Sequence, residues 1–348
     1  MKKYKLKVLR RKFNTFKGIY NFHHKKFILN NSPQILCLEI TNACNLRCPI
    51  CPMNTGIVKR KKTFIKKSLF TEIVNKYADC MTIVGLSHHG EALLHPDLLF
   101  FINYLHKNGV KALITTNATL LTKDMSMKLL KSDLDNIMFS FDSTKKEIYE
   151  NIRVGAKFEK TFENIKTFLE LKNKLKKSTH VCIRTINMDS TKNHMQEFIS
   201  YFEKIKGVNE IEVNEINTWG GRIKRENFNR IQSIGIRKNI FCLQPWTTII
   251  INSDGGIFVC NNHEDGDFGN LKEHTLLEIW NNKKYQNLRK RILQPNPKNT
   301  ICENCDYESM GMYIEKPNRF FPVTNDFFKY FLKHLHSLFY KNVKTKRF

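Results

Sequence analysis

The sequence predicts an α/β chain: a parallel sheet clad in helices, followed by a smaller, cysteine-bearing hairpin unit. Three observations predict it. Six short strand-like runs, five of them largely apolar, alternate with helical stretches along residues 35–216, and strands joined by crossovers of ten or more residues pair in parallel. The runs end in polar residues, which is where parallel sheets hold their ligands. Past residue 240, two apolar runs flank the turn Ser253-Asp254-Gly255-Gly256, the pattern of a hairpin.

In chain order, the first strand spans 35–40 and leads directly into Cys44, Cys48 and Cys51. A helix over 69–77 carries its apolar residues at Leu69, Ile73, Val74 and Tyr77, with Ser68 as its expected N-cap. The second strand, 81–86, ends in Ser87-His88-His89-Gly90-Glu91. A helix from Pro96-Asp97 closes at Asn108-Gly109. Strand three (110–114) ends at Asn117, and strand four (136–141) ends around Ser140 and Asp142, with the helix 122–130 between them. A helical stretch broken near Arg153-Val154-Gly155-Ala156 precedes strand five (180–186). The helix 195–205 and strand six (208–216) complete the series. Beyond Trp219-Gly220-Gly221 the chain turns polar and arginine-rich. Hairpin strands follow at 247–251 and 257–260, then helices at 276–280 and 285–292.

With 348 residues, 41% hydrophobic and 11% aromatic, the chain can bury a large core. Ten cysteines without an apolar leader argue against a disulfide framework and for metal use in a reducing cytoplasm. The net charge of +26 would suit nucleic acid, an anionic membrane or a phosphorylated substrate. Lysines are spread along the whole chain, however, so a general compositional bias explains most of that charge. The density is greatest in the N-terminal arm and the C-terminal tail. No apolar run reaches eighteen residues, which excludes a spanning helix on the usual criterion.

Three thiols on one short loop leave a four-iron cluster one ligand short, and thiolates suit iron-sulfur clusters or zinc. A zinc knuckle completed by a distant ligand is the competing explanation. The C-x3-C-x2-C triplet Cys44, Cys48, Cys51, with Ile50 before the last cysteine, resembles the signature of the radical S-adenosylmethionine (AdoMet) enzymes. That resemblance implies a partial (β/α)6 TIM-like barrel and a [4Fe-4S] cluster held by three cysteines and AdoMet. It also gives His89-Gly90-Glu91 the place of the family's Gly-Gly-Glu turn, where Gly90 and Glu91 hold the AdoMet amino group. His89 replaces the first glycine. Asn117, Ser140 and Asp142 match positions near the AdoMet methionine and ribose, and Arg153 resembles the arginine that reaches its carboxylate. Singly, each of these also reads as turn capping. Arg184 suits a ligand contact or a barrel salt bridge equally. His88, His89 and His95 read as turn polarity, any one able to carry a proton, and Cys37, Cys80 and Cys182 read as buried free thiols.

Cys242-Leu243-Gln244-Pro245-Trp246, Phe258-x-Cys260, Gly269-Asn270-Leu271, the Trp280 helix and Cys302-x-x-Cys305 together resemble the SPASM/twitch extension. With no cysteine after Cys305, one auxiliary [4Fe-4S] cluster on Cys242, Cys260, Cys302 and Cys305 is implied. The expected organisation is a basic arm (1–32), the barrel (33–221), a linker (222–240), the auxiliary-cluster domain (241–312) and a basic aromatic tail (313–348). In the tail, Phe327, Phe328, Phe331, Leu332, Leu335, Leu338 and Phe339 have helical spacing suited to docking on the barrel or on a membrane surface.

The implied function is formation of a 5'-deoxyadenosyl radical that abstracts hydrogen from a small polar substrate. A sugar or cyclitol alcohol is favoured, oxidised with the auxiliary cluster as electron acceptor, and a donor such as flavodoxin or ferredoxin supplies the reducing electron. A SPASM-type peptide maturase is the alternative, disfavoured because only some forty residues precede the triplet. A non-catalytic zinc protein binding nucleic acid is the alternative from another class. No nucleic acid is expected as a partner, since aromatics are not interleaved with the basic runs.

Overall fold

The computed structural model describes residues 2–219, 222, 240–260, 267–294, 302 and 313–315. Helix α1 (Lys2–His23) precedes strand β1 (Gln34–Leu38). There follow α2 (Lys67–Tyr77), β2 (Ile83–Gly85), α3 (Leu98–Lys107), β3 (Lys111–Thr116), α4 (Lys123–Lys131) and β4 (Asn136–Ser140). Next come α5 (Lys146–Ile152), α6 (Phe158–Lys174), β5 (His180–Asn187), α7 (Asp189–Lys192), α8 (Met195–Glu203) and β6 (Glu210–Glu215). The second part holds β7 (Ile240–Cys242), α9 (Gln244–Thr247), β8 (Thr248–Ile251), β9 (Ile257–Phe258), α10 (Leu276–Trp280), α11 (Lys283–Ile292) and β10 (Tyr313–Glu315).

All six expected strands form, and β1 to β6 pair in parallel in sequential order. The helices obey the apolar period that predicts them. In α3, Leu98, Phe101, Ile102 and Leu105 are buried on one face, and Phe101 stacks on Phe70 of α2 at 4.0 Å. Burying one such ring contributes roughly 2–3 kcal/mol. Gly109, at φ +71°, ends α3 as expected. Thr122 caps α4 by accepting the Met125 N–H at 3.1 Å. Ser68 does not cap α2, which begins two residues earlier than expected, at Lys67 behind an extended Lys66.

The hairpin does not stand apart from the barrel. β8 lies parallel to β1 with Gln34 opposite Thr248 and Leu38 opposite Ile251, and β9 pairs antiparallel with β8, giving one eight-stranded sheet in the order β6-β5-β4-β3-β2-β1-β8-β9. The register slips at Leu36, between Ile35 and Cys37, as a β-bulge requires. All four residues of β8 are buried, as a strand flanked on both faces must be. A second small pair, β7 with β10, joins Cys242 to Tyr313.

The N-terminal arm is helical from Lys2. Arg11 donates to the carbonyls of Gly109 and Ala78, each at 2.9 Å. Gly18 abuts Trp246, where a Cβ would come within 2.7 Å of the Trp246 carbonyl oxygen. Phe22 meets the Trp246 ring edge-on at 5.0 Å. Cys305, the tail residues from Phe327 to Phe339 and most of the linker lie outside the described residues.

Candidate functional site

The cysteine loop leaves the carboxyl end of β1 and is clipped in place by its own flanks. Thr41 Oγ1 donates to Thr63 O at 2.8 Å, and Asn42 both accepts from Thr63 N and donates to Lys61 O, at 2.7 and 2.9 Å. Cys51 N–H donates to Cys48 O at 3.1 Å, closing a turn between the second and third thiols. The sulfurs face donors: Leu46 N–H lies 3.4 Å and Asn117 Nδ2 3.9 Å from Cys44 Sγ. Burial raises all three thiols, Cys51 to about 11. Thiols so buried ionise when iron or zinc takes the sulfur, and the surrounding donors suit thiolate better than thiol.

Gly90 and Glu91 stand against this loop. Gly90 has φ +85°, and a Cβ there would lie 2.6 Å from Thr41 O and 2.7 Å from Ala43 O. Glycine thus lets the turn abut the cysteine loop's backbone, and Glu91 N–H donates to Ala43 O at 2.8 Å. The Glu91 carboxylate, 1% exposed, accepts from Thr116 Oγ1 (2.7 Å), Asn117 N–H (2.8 Å) and Leu93 N–H (3.0 Å). It ties the end of β2 to the end of β3. Burial nevertheless raises its pKa, the hydrogen bonds opposing that shift. Ala118 just beyond adopts φ +60°, a left-handed geometry costing roughly 1 kcal/mol that these bonds offset. Asn117 reaches the loop, donating to Asn45 Oδ1 at 3.0 Å.

On the other flank, buried Asp142 accepts from Arg153 Nε at 2.5 Å through Oδ2, while its buried Oδ1 has no donor among the described residues. Burial works against the Arg153 charge, but Asp142 and Cys48 hold its pKa raised. The Arg153 charge favours the Cys48 thiolate, and Arg47 N–H donates to Val154 O at 2.9 Å. The helix break at 153–156 is therefore docked on the cysteine loop. Ser140 ends β4 half-buried opposite Arg184. Arg184 makes the barrel salt bridge, 3.0 Å from Glu212.

His88 and His89 are not ordinary turn polarity. With Glu39 they form a close set of would-be metal ligands. Glu39, fully buried, already binds Arg60 through both oxygens at 2.9 and 2.8 Å, and that guanidinium opposes a cation at the same carboxylate. His88 and His89 approach Glu39 Oε2 at 3.5 and 3.4 Å, and Ser253 of the hairpin turn donates to Oε1 at 3.2 Å. Burial penalises the Glu39 charge, yet hydrogen bonds from His88, His89 and Arg60 hold its pKa well below the usual carboxylate range. Burial lowers His89 to about 4. Arg60 also lies over the Phe258 ring at 5.2 Å, so the network fastens β1 and the β2 turn to the hairpin. Sequence reasoning passed over Glu39, although a lone carboxylate inside an apolar strand signals such a role. His95 has the structural role expected, receiving Asp97 N–H at Nδ1 and facing Ile65 O from Nε2. Cys37 and Cys182 are buried, while Cys80 is half-buried in a short turn.

In the second cysteine set, Cys242 ends β7 and Cys260 follows β9 two residues on. Cys242 and Cys302 pack against the main core. Around Tyr285, which feels the Cys260 charge, lie three buried donors with no acceptor among the described residues: Trp280 Nε1, Tyr285 OH and Arg289 Nη2. The rings of Trp280 and Tyr285 are 4.9 Å apart, and the Arg289 guanidinium stacks on both at 4.5 and 5.1 Å. Burial lowers Arg289 to about 9. A buried cation and orphan donors fit an anionic group such as a thiolate-bound iron-sulfur cluster.

Residues 38–198 match the Radical SAM superfamily, and residues 242–306 match SPASM, an iron-sulfur cluster-binding domain. A GTP 3',8-cyclase of Clostridium botulinum is 29% identical over 165 residues, covering 46% of this chain and 51% of that one. The chain thus spans about half the length of the curated relatives it matches. BtrN in complex with AdoMet and 2-DOIA superposes with a TM-score of 0.54 at 16% identity, over 81% of this chain and 96% of that one. Streptococcus suis SuiB bound to its precursor peptide SuiA gives a TM-score of 0.59 at 17% identity, over 81% and 71%. At such identities the shared feature is the fold. Among the described residues no helix is long and apolar enough to cross a membrane.

Proposed function

We propose that this chain, which belongs to the radical SAM superfamily and carries a SPASM iron-sulfur domain, is a radical AdoMet oxidoreductase with two cluster sites. Cys44, Cys48 and Cys51 hold a [4Fe-4S] cluster open to AdoMet at one iron, and Cys242, Cys260, Cys302 and Cys305 hold one auxiliary [4Fe-4S] cluster. The observation that carries it is the convergence on the cysteine loop of three strand-end elements: the Gly90-Glu91 turn, Asn117, and the Asp142–Arg153 pair.

A cluster and AdoMet held there would supply radical chemistry able to remove hydrogen from the substrate. The chain's own residues bind and orient. Arg153 balances cluster charge at Cys48 and lies where a ligand carboxylate would pair. Asp142 Oδ1, buried without a donor among the described residues, suits a ligand hydroxyl. Glu91 fixes the β2 and β3 ends, so the carbonyls of its turn can face an ammonium group. Asn117 and Ser140 line the same strand ends.

A sugar or cyclitol alcohol is the favoured substrate. In support, the likeness spans 96% of BtrN, whose bound partner is 2-DOIA, against 71% of SuiB, whose bound partner is a peptide. A basic chain also suits an anionic, nucleotide-linked sugar. The test is anaerobic reconstitution, chemical reduction and measurement of 5'-deoxyadenosine with AdoMet and candidate substrates. Turnover stimulated by sugars and not by peptides is expected. Stimulation by peptides alone would transfer the assignment to peptide maturation, and a colourless zinc-loaded protein without AdoMet cleavage would end the enzyme reading.

A further inference from the structure

Trp280, Tyr285 and Arg289 are fully buried at the junction of α10 and α11. Tyr285 and Arg289 stand one turn apart on the same face of α11, and the guanidinium lies over both aromatic rings, 4.5 Å from that of Trp280 and 5.1 Å from that of Tyr285. Two of its arms are used: Nε donates to Pro245 O at 2.8 Å and Nη1 to Phe27 O at 2.7 Å. The third arm, Nη2, has no acceptor among the described residues, and neither has Trp280 Nε1 or Tyr285 OH. Nor does a carboxylate among the described residues pair with Arg289. A buried cation without a counter-charge and buried donors without acceptors are each costly, and an anionic group beside them would relieve both costs.

Three observations place these donors among the segments that carry the second cysteine set. Pro245, which receives Nε, follows Cys242 by three residues. The charges that act on Tyr285 are those of Arg289 and Cys260. Leu243 and Val259, the chain neighbours of Cys242 and Cys260, are buried in the same core as Trp280 and Tyr285, and Cys302 packs against that core as well.

We infer that Trp280, Tyr285 and Arg289 form a donor pocket that stabilises the reduced state of the auxiliary cluster and so raises its reduction potential. The inference rests on the auxiliary [4Fe-4S] site proposed above. Reduction adds one electron to such a cluster and makes its sulfurs more negative. Hydrogen-bond donors and a cation favour that state over the oxidised one, and they are among the means by which a protein sets the potential. In the proposed reaction the electron comes from the substrate after its hydrogen has been removed, the alcohol proton leaving to water. A pocket that raises the potential makes the cluster the better acceptor. A purely structural staple of α11 to Phe27 and Pro245 would leave the potential where it is.

The experiment uses the full chain carrying Cys44→Ala/Cys48→Ala/Cys51→Ala, which leaves only the auxiliary site to be loaded anaerobically with iron and sulfide. Its potential is read by electron paramagnetic resonance during a dithionite titration with redox mediators. Arg289→Met keeps the apolar stem and removes the charge; it should lower the equilibrium constant for reduction about tenfold, a downward shift of about 59 mV for a one-electron couple. Tyr285→Phe and Trp280→Phe each remove one donor and should shift it the same way by less. Because the Tyr285 hydroxyl has no partner among the described residues, Tyr285→Phe should leave the iron-free chain at least as stable as its parent, so the test remains readable where Arg289→Met does not fold. An unchanged or raised potential in Tyr285→Phe, with about four irons per chain retained, would overturn the inference and leave the auxiliary cluster in place. A parent chain that takes up no iron would overturn the cluster assignment itself, and this inference with it.

Discussion

Removing the guanidinium that holds Glu39 tests whether the buried network joins barrel to hairpin. In Arg60→Leu, two charge-assisted bonds of 2.9 and 2.8 Å disappear from a carboxylate with no solvent exposure. Breaking a buried pair from one side costs 3–5 kcal/mol. Arg60 is 16% exposed, and His88, His89 and Ser253 remain beside Glu39. We therefore expect about 3 kcal/mol, the low end of that range. The assay is anaerobic urea unfolding of the cluster-loaded protein, followed by fluorescence and by cluster absorbance. The double variant Arg60→Leu/Glu39→Leu should recover about half of the loss, because replacing both charges with apolar groups removes the stranded carboxylate. A single-variant cost below about 1 kcal/mol, or a double variant less stable than the single, would refute the reasoning.

Gly90→Ala should cost about 2–4 kcal/mol, from left-handed strain plus the overlap with Thr41 and Ala43, and should lower iron at the first site while sparing the second, as read by iron analysis and electron paramagnetic resonance. Cys48→Ala and Cys260→Ala should each reduce iron from about eight to about four per chain, and only Cys48→Ala should abolish AdoMet cleavage. Glu91→Gln puts an amide donor against the Asn117 or Thr116 donor and should cost about 1–3 kcal/mol, measurable by thermal unfolding. Acid should destabilise the fold in two overlapping windows. His89, lowered to about 4, refuses a proton that the unfolded chain accepts below its ordinary 6.5, so stability should fall from pH 6.5 towards 4. Glu39, held below the carboxylate range, adds stability above its unfolded pKa that is lost as pH drops through the lower folded value. A urea midpoint flat between pH 6.5 and 4.5 would contradict the first window.

The parallel strands were legible because the first five are largely apolar runs bounded by turn residues and the sixth alternates Ile211 and Val213 with polar residues, both of them local signals. The cysteine triplet was legible because ligand spacing on one loop is also local. What escaped notice was long-range or two-sided. The pairing of β8 with β1 joins segments more than two hundred residues apart, and nothing in either strand names its partner. Helix α1 looked like a basic arm because its apolar residues fall on two faces, blurring the single-stripe period. The roles of His88 and His89 depend on Glu39, Arg60 and Ser253, which converge only in three dimensions. Gly90 was expected to face the AdoMet amino group, and the backbone it approaches most closely is that of the cysteine loop itself.

The strand order has a consequence for the chain as it is made. β1 emerges early, and one of its edges finds β2 within some fifty residues. The other edge waits for β8, which is synthesised about 210 residues later, or roughly 10–40 s at ordinary translation rates. Throughout that interval the strand that presents the cysteine loop has a row of unpaired amides and carbonyls open to neighbouring nascent chains. Chaperone cover of that edge during the interval should therefore raise the yield of soluble protein.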